Sequence, residues 1–239
     1  MYPDLPEYQA GVVSSNAKKM AQNDSTQATR DPDTSQEAGR AELRRAAFLK
    51  AAREVFLENG YENANMAEIV KRAGGSLSTL YAQFGGKKGL FEAMIDARVK
   101  ILTEQMQIEL AAHAPLREGL KRIGETFLFK QLETDALDVF RLMVAQSKKF
   151  PELAEAWGKR APDQVRKALA DYLEDRVKAG EIKIANFDLA ASVFFDLVRS
   201  RIQFRALLNA NYTPTEIEVR ETVDRAVKVF IGGIESLQS

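Results

Sequence analysis

The spacing of apolar residues from Ala41 onward predicts a chain made of α-helices. Large apolar side chains recur every three or four residues, which places them on one face of a helix, whereas alternating strand patterns and hairpin turns are missing. Residues 1–39 differ, since they are rich in polar residues and proline and carry few large apolar side chains. Such a segment buries too little surface to offset the entropy lost on ordering, so we expect a mostly disordered tail.

About nine helices follow from this periodicity and from the residues that interrupt it. Glycine-containing turns separate the first four helices, Asn65 can cap the second together with Glu68, and Pro214 opens the last. Residues 151–159 form either a broken turn or the start of the helix that follows them. The predicted helices span 41–59, 66–73, 77–84, 87–111, 116–132, 135–148, 162–179, 187–209 and 214–236.

The chain carries 34 lysine and arginine residues against 34 aspartate and glutamate residues, so its net charge is near zero. This balance argues against a uniformly basic nucleic-acid coat. The charge is nevertheless segregated: residues 40–100 hold 11 bases and 7 acids, whereas the net charge is −3 for residues 1–39 and −1 for residues 101–239. The basic stretch therefore indicates an anionic partner.

The residue types that most catalytic and metal sites need are scarce. There is no cysteine, which excludes disulfides and cysteine-ligated metals, and the one histidine, His113, would need a second chain to build a metal site. We expect His113 at a helix end, where the helix dipole favours it. We therefore predict no catalytic residue, no metal and no cofactor. Because no apolar run approaches the ~18 residues of a membrane span and no secretory signal opens the chain, we expect a cytoplasmic protein without membrane contact.

Residues 60–91 carry the clearest functional signal. Two short helices are joined by a glycine-containing turn, with Ile69 and Ala73 facing inward from the first and Leu80 and Phe84 from the second. This is helix-turn-helix geometry, in which the second helix enters the major groove of DNA. A solvated helix would carry Lys and Glu on its outer face, but this one carries neutral, mostly small side chains: Leu77, Ser78, Thr79, Tyr81, Ala82 and Gln83.

This stretch resembles the tetracycline-repressor (TetR/AcrR) family of transcriptional regulators. The family implies a three-helix DNA-binding domain, here residues 40–88, followed by a helical domain, here 89–239, that binds a small ligand and dimerises. Gly75 departs from the usual Val, and we expect the missing side chain to loosen the recognition helix. The segments 150–153 and 180–182 resemble the AefR-like branch. The resemblance to the family runs through Ala52, Phe56, Gly60-Tyr61, Ile69, Ala73-Gly74, Ser76, Thr79-Leu80-Tyr81, Phe84, Lys87 and Leu90.

The resemblance implies DNA contacts residue by residue. The hydroxyls of Thr79 and Tyr81 are expected on phosphates, as is Lys87 at a helix N-terminus, where ammonium and helix dipole act together. The side chains at 77, 78 and 82 are expected on base edges, and Gln83 on a phosphate or a base. Arginines that open the first helix can reach the backbone or minor groove. The candidate DNA-binding residues are Arg44, Arg45, Asn65, Ser76, Leu77, Ser78, Thr79, Tyr81, Ala82, Gln83 and Lys87.

A ligand site is expected where aromatic and polar residues interrupt apolar helices of the C-terminal half. Arg199 and Gln203 lie one turn apart on a helix that is apolar nearly all round, and a buried arginine needs an acceptor. That acceptor is an acidic ligand, Asp196 or a carboxylate of a partner chain. The candidate ligand-binding residues are Phe127, Phe140, Met143, Gln146, Trp157, Phe195, Arg199 and Gln203.

The same helix predicts a homodimer, because a helix that is apolar all round must be buried on all sides. We expect one stripe to face its own core and the other to face a second copy, in a two-fold four-helix bundle with the last helix. The predicted core stripe is Ala190, Val193, Phe194 and Leu197, and the predicted partner stripe is Ala191, Phe195, Val198 and Ile202.

These expectations favour a regulator that binds a palindromic operator in double-stranded DNA as a homodimer. It would act as a repressor and be released by a small apolar or amphipathic molecule. Two other classes remain open: a helical module that binds only proteins, and a helical enzyme that relies on Asp and Glu alone. Salt-dependent binding to a palindromic duplex separates the regulator from both.

Overall fold

The structure, a computed structural model, describes residues 32–111 and 114–236, and their side chains apart from those of residues 32–35, 38, 111, 156–162, 200 and 234–236. His113 and residues 1–31 lie outside the described residues. Nine helices and no strand occupy the described ranges, which confirms the predicted all-α fold. The helices are α1 (Pro32–Asn63), α2 (Met66–Ala73), α3 (Leu77–Phe84), α4 (Lys87–Ala111), α5 (Leu116–Leu132), α6 (Thr134–Gln146), α7 (Pro151–Lys178), α8 (Phe187–Leu208) and α9 (Glu216–Ser236).

The bounds of α2 to α5 agree with the predicted ranges, and those of α6, α8 and α9 agree within two residues, with Pro214 just before α9 rather than at its start. Helices α1 and α7 differ more. Helix α1 begins at Pro32, nine residues before the predicted start, so residues 32–39 are helical rather than disordered. Its helical backbone is interrupted at Gly60, which has φ 74°, beside the predicted end. Helix α7 runs without a break from Pro151, so residues 151–159 are the start of the helix that follows them.

A continuous apolar core connects the helix-turn-helix segment to the C-terminal half. Phe48 and Phe56 of α1 and Phe91 of α4 are fully buried at one end, and Phe127 of α5 and Phe194 of α8 at the other. Helix α4 reaches both ends, because it packs on α3 near its start and on α5 and α7 farther along. The long α4 therefore packs against elements of both halves.

The predicted orientation of α8 is right for Ala190 and Phe194, which are buried in the core, and wrong for four other residues, Ala191, Val193, Phe195 and Val198. Ala191, Phe195 and Val198, which were expected to face a partner, are at most 2% exposed and belong to the chain's own core. Val193, which was expected in the core, is 44% exposed. The sequence pattern could not distinguish the two stripes because both are apolar, and the inward one is set by contact with α5, α7 and α9. The exposed apolar residues of α8 are Leu189, Val193, Phe204 and Leu208.

Among the described helices, none combines the length and apolar character that crossing a bilayer requires. In the same ranges, histidine and carboxylate side chains form no group that could hold a metal ion.

Candidate functional site

Both short helices of the helix-turn-helix segment begin at a side-chain cap. The Asn65 side chain accepts a hydrogen bond from the backbone N–H of Ala67 at 2.8 Å and starts α2. Ser76 accepts from the N–H of Thr79 at 3.1 Å and starts α3, and its Oγ also lies 2.8 Å from the hydroxyl of Ser78. Such caps satisfy N–H groups that the helix itself leaves unpaired. Asn65 and Ser76 therefore fix where the two helices begin.

Helix α3 presents an uncharged face to solvent. Leu80 and Phe84 are buried on its inner side, whereas Leu77 is 43% and Tyr81 52% exposed on its outer side. Ser78, Ala82 and Gln83 are exposed beside them, and Thr79 is half-buried. The structure thus brings the predicted residues of this helix together on one outer surface, which we call the α3 face: Leu77, Ser78, Tyr81, Ala82 and Gln83.

The basic residues around α3 are partly engaged within the chain. Lys87 donates to the backbone carbonyls of Tyr61 at 3.0 Å and Glu62 at 2.9 Å. Burial lowers the pKa of Lys87 from its ordinary value. The Arg45 guanidinium lies 5.0 Å from the ring centroid of Phe84, the last residue of α3, while Arg44 is exposed. Lys87 therefore closes the end of the first helical segment as well as opening α4.

The turn between α2 and α3 is filled from α1. A Cβ atom built on Gly75 would lie 2.5 Å from Cζ of Phe48, far inside normal contact distance. Phe48 is fully buried and meets Phe84 edge to face, with ring centroids 6.1 Å apart. The expectation that Gly75 loosens the recognition helix is therefore wrong, because the Phe48 ring occupies the space that a side chain at 75 would take.

An arginine that sequence reasoning missed fastens α2 to α1. Arg72 makes two hydrogen bonds of 2.7 Å to the carboxylate of Glu58 and one of 2.9 Å to Glu68. The hydrogen bonds from Arg72 hold the pKa of Glu58 below its ordinary value. The spacing of Glu68 and Arg72, four residues apart, was visible in the sequence, but the partner on α1 was not.

The helix-turn-helix segment also contacts the turn between α6 and α7. Tyr61 stacks on Phe56 and meets Phe91 and Phe150 edge to face, the last at 5.1 Å between ring centroids. Lys149, next to Phe150, donates to the carboxylate of Glu62 at 2.5 Å. This contact ties the end of the first helical segment to the C-terminal half.

A cavity of about 400 Å³, here called the α1–α4 cavity, is lined by residues of α1, of α4 and of the C-terminal helices. Phe127 and Arg199 of the predicted ligand set line it, together with side chains of α1, α4 and α6 that sequence reasoning missed. Arg199 lies 3.5 Å from Asp196 and 5.2 Å from the ring centroid of Phe127, and burial lowers its pKa. The volume of the α1–α4 cavity falls in the range of small-molecule sites.

A second cavity of about 630 Å³, here called the α6–α8 cavity, is also lined by Arg199. Phe140 and Gln203 of the predicted set line it, and Gln203 is buried and donates to the side chain of Gln131 at 3.4 Å. Arg199 and Gln131 line both cavities, so these two side chains stand between them.

Three of the remaining predicted ligand residues, Met143, Gln146 and Phe195, line neither of these two cavities. Met143 and Phe195 are buried in the core, where Phe195 packs on Phe127. Gln146 instead lies close to Gly60, at the end of the first helical segment. The side chain of Trp157 lies outside the described residues.

Comparison with known proteins agrees with this geometry. Residues 48–94 match the family model of bacterial regulatory proteins of the tetR family, and residues 118–233 match that of the AefR-like transcriptional repressor C-terminal domain. The chain is 37% identical over 93 residues to the HTH-type transcriptional activator FasR of Mycolicibacterium smegmatis, covering 39% of this chain and 42% of FasR. The matched segment thus spans less than half of that relative.

Solved structures share the fold over most of the chain. A TetR-family regulator from Mesorhizobium loti superposes with a TM-score of 0.72 at 21% identity, covering 81% of this chain and 98% of that one. The flavonoid-responsive regulator FrrA superposes with a TM-score of 0.66 at 27% identity, covering 80% and 96%. With the helix-turn-helix geometry and the two family models in agreement, the chain belongs to the TetR family and is a DNA-binding transcriptional regulator.

Proposed function

We propose that the protein is a ligand-responsive repressor that binds a palindromic operator as a homodimer. The observation that carries the proposal is the uncharged α3 face, since side chains without charge can lie against base edges at close range. The match of residues 118–233 to an AefR-like repressor domain supports repression as the direction of control.

The side chains of the α3 face divide into two roles. Leu77 and Ala82 suit thymine methyl groups, and Ser78 can donate to or accept from a base edge. Tyr81, with its exposed ring, and Thr79 offer hydroxyl groups to phosphates, where such donors are common.

The cations around the α3 face suit the DNA backbone. Lys87 keeps one N–H beyond the two that bond carbonyls, and it stands at the N-terminus of α4. Arg44 and Arg45 are suited to contact the DNA backbone or the minor groove, and Gln83 is suited to contact a phosphate or a base.

The exposed faces of α8 and α9 support the dimer. On α8, Leu189, Val193, Phe204 and Leu208 fall on one face, and on α9 Ile217 and Val229 are 69% and 58% exposed. Large apolar side chains exposed along two adjacent helices favour burial against a second copy. A two-fold bundle of these four helices would bury roughly 2,000 Å² or more, as obligate interfaces do.

Helix α4 offers a route from ligand to DNA. Its first residue, Lys87, lies beside α3, and its Met94–Leu102 portion lines the α1–α4 cavity. A small molecule that prefers one position of α4 would shift the population of recognition-helix positions. FrrA, described as flavonoid-responsive, is a relative in which a small molecule acts.

Selection of bound duplexes from random DNA tests the proposal. The expected product is a palindrome whose half-sites lie about 34–36 Å apart, one helical turn, because a two-fold dimer presents two α3 helices at that spacing. Recovery of a single unpaired half-site by a monomer would contradict the dimer, and recovery of no preferred sequence would contradict operator recognition.

A further inference from the structure

Positive side chains outnumber negative ones around the α1–α4 cavity. Its lining comes from α1, from the middle of α4 and from the region where α5 meets α6. A low-dielectric recess with an excess of one charge concentrates field lines and attracts ligands of the opposite sign. Five cationic and two carboxylate side chains line it: Lys50, Arg53, Arg98, Lys130, Arg199, Glu133 and Asp135.

The two carboxylates are already shared among three of the cations. Glu133 accepts from Lys130 at 2.6 Å and from Arg98 at 3.3 Å, and Asp135 pairs with Arg53. These internal pairs leave two cationic side chains without a carboxylate inside the cavity.

Those two cations are Lys50 and Arg199. Within residues 32–111 and 114–236, Lys50 is exposed and no ion pair or hydrogen bond is found for it. Among the described residues, the one ion-pair partner of Arg199 is Asp196 at 3.5 Å, and the Asp196 side chain is 69% exposed and is not part of the cavity lining. A guanidinium with five N–H donors is thus under-used at a half-buried position.

Apolar side chains make up most of the remaining lining. Phe127, Ile95, Val139 and Val165 are each at most 5% exposed, and they come from four different helices. A ligand that fits both parts of the cavity has an apolar body and a single anionic group.

We propose that the α1–α4 cavity binds an amphipathic organic anion whose carboxylate or phosphate is held by Arg199 and Lys50 and competes with Asp135 for Arg53. The inference rests on the proposed function, since it names the chemical class of the effector. It adds a mechanism, because Arg53 belongs to α1 and Asp135 to α6, so this ion pair fastens the DNA-binding half to the effector half.

The competition at Arg53 acts on a helix that touches the recognition helix. Arg53 lies five residues after Phe48, whose ring packs on Phe84 of α3 and fills the turn at Gly75. An anion that takes Arg53 from Asp135 removes the ion pair between α1 and α6 and so weakens the contact between these two helices. Ligand binding and duplex binding are then coupled, and the coupling acts equally in both directions.

Titration calorimetry of the full chain with three ten-carbon probes tests the ligand class. Decanoate should bind, decanol at least tenfold more weakly, and decyltrimethylammonium not at all, because the probes share one apolar body and differ in head-group charge. Equal binding of decanoate and decanol would overturn the role of the cations. Failure of decanoate to bind would overturn the ligand class.

Two variants that should change decanoate affinity in opposite directions test the roles of Arg199 and Asp135. Arg199→Gln should weaken decanoate binding at least tenfold. Asp135→Asn should strengthen it about threefold to fivefold, because a competing carboxylate is removed, and misfolding does not increase affinity. Lys167→Gln, an exposed lysine paired with Asp171 away from the cavity, is the matched control and should change nothing. Unchanged affinity in Asp135→Asn would overturn the competition at Arg53.

Duplex selection without any probe separates this inference from the proposed function. If a palindrome is recovered but decanoate does not bind, the regulator stands and the ligand class falls. If decanoate binds and changes duplex affinity, that change should shrink toward onefold in Asp135→Asn. A full-sized change in that variant would contradict the part of the inference that concerns α1 and α6.

Discussion

Replacing Gly75 with alanine should destabilise the protein even though alanine is the smallest substitution with a side chain. The new Cβ would lie 2.5 Å from Cζ and 3.2 Å from Cε1 of Phe48, whereas carbon atoms prefer about 3.5–4.0 Å. The ring must therefore retreat by about 1 Å from a fully buried site. Overpacking of this kind costs about 1–3 kcal/mol, and weakening the edge-to-face contact with Phe84 adds about 0.5–1 kcal/mol.

Equilibrium urea unfolding at one fixed protein concentration measures this cost, since the stability of an oligomer depends on concentration. Phe48→Leu is the partner variant, because leucine lacks the far edge of the ring that the new Cβ meets. In that background Gly75→Ala should cost less than about 0.5 kcal/mol, which gives a coupling of about 1–4 kcal/mol between the two sites. Additive costs in the double variant would refute the contact on which the reasoning rests.

Three further predictions concern residues of α4, α8 and α9. Lys87→Ala should lower the free energy of unfolding by about 1 kcal/mol, because its hydrogen bonds to two backbone carbonyls are lost. It should also reduce the slope of log binding constant against log salt concentration for duplex binding by about 0.9. An unchanged slope would show that Lys87 does not contact a phosphate. Val193→Glu should give a folded monomer in sedimentation at micromolar concentration, whereas Phe195→Arg should lose helical circular dichroism because Phe195 is buried. Hydrogen bonds from Thr215 lower the pKa of Glu218. The ionised Glu218 therefore stabilises the fold above its ordinary pKa of 4.5, and this stabilisation is lost as the pH falls through the pKa of the folded state. Unfolding of the Glu218→Ala variant, followed in acid, should show a weaker pH dependence.

The helix-turn-helix segment was predicted closely from the sequence because capping residues next to each helix fix where that helix begins and ends. Asn65 and Ser76 cap the two short helices, and Gly74 and Gly85 end them with φ 71° at each position. A left-handed residue directly after a helix is a signal confined to a few neighbours in the chain. Local signals of this kind need no knowledge of the rest of the fold.

The errors arose where distant segments decide the outcome. Phe48 and Gly75 are far apart in sequence, so no local pattern shows that one fills the space above the other. The early start of α1 lacks apolar periodicity, and only Pro32 at its first position marks it. In α8, periodicity could not choose the inward stripe, because Val193 and Phe195 are both apolar.

The candidate effector site was predicted only in part for the same reason. Phe127 and Arg199 stood out as an aromatic and a charged residue on apolar helices, and both line the α1–α4 cavity. Lys50 and Arg53 looked like ordinary surface cations of α1. Their place at the cavity depends on α6 folding back to bring Asp135 beside Arg53.

The ring cluster around Tyr61 limits how this chain can be recombined with its relatives. Tyr61 and Phe56 belong to the first helical segment, Phe91 to α4 and Phe150 to the turn before α7. A chimaera that joins residues 1–88 to the C-terminal half of another protein would remove Phe91 and Phe150 and leave Tyr61 with only the Phe56 ring of this cluster. Successful domain exchange therefore requires a junction beyond Phe91 and a C-terminal half that supplies an aromatic residue at the place of Phe150, so the two halves are not independent modules at this contact.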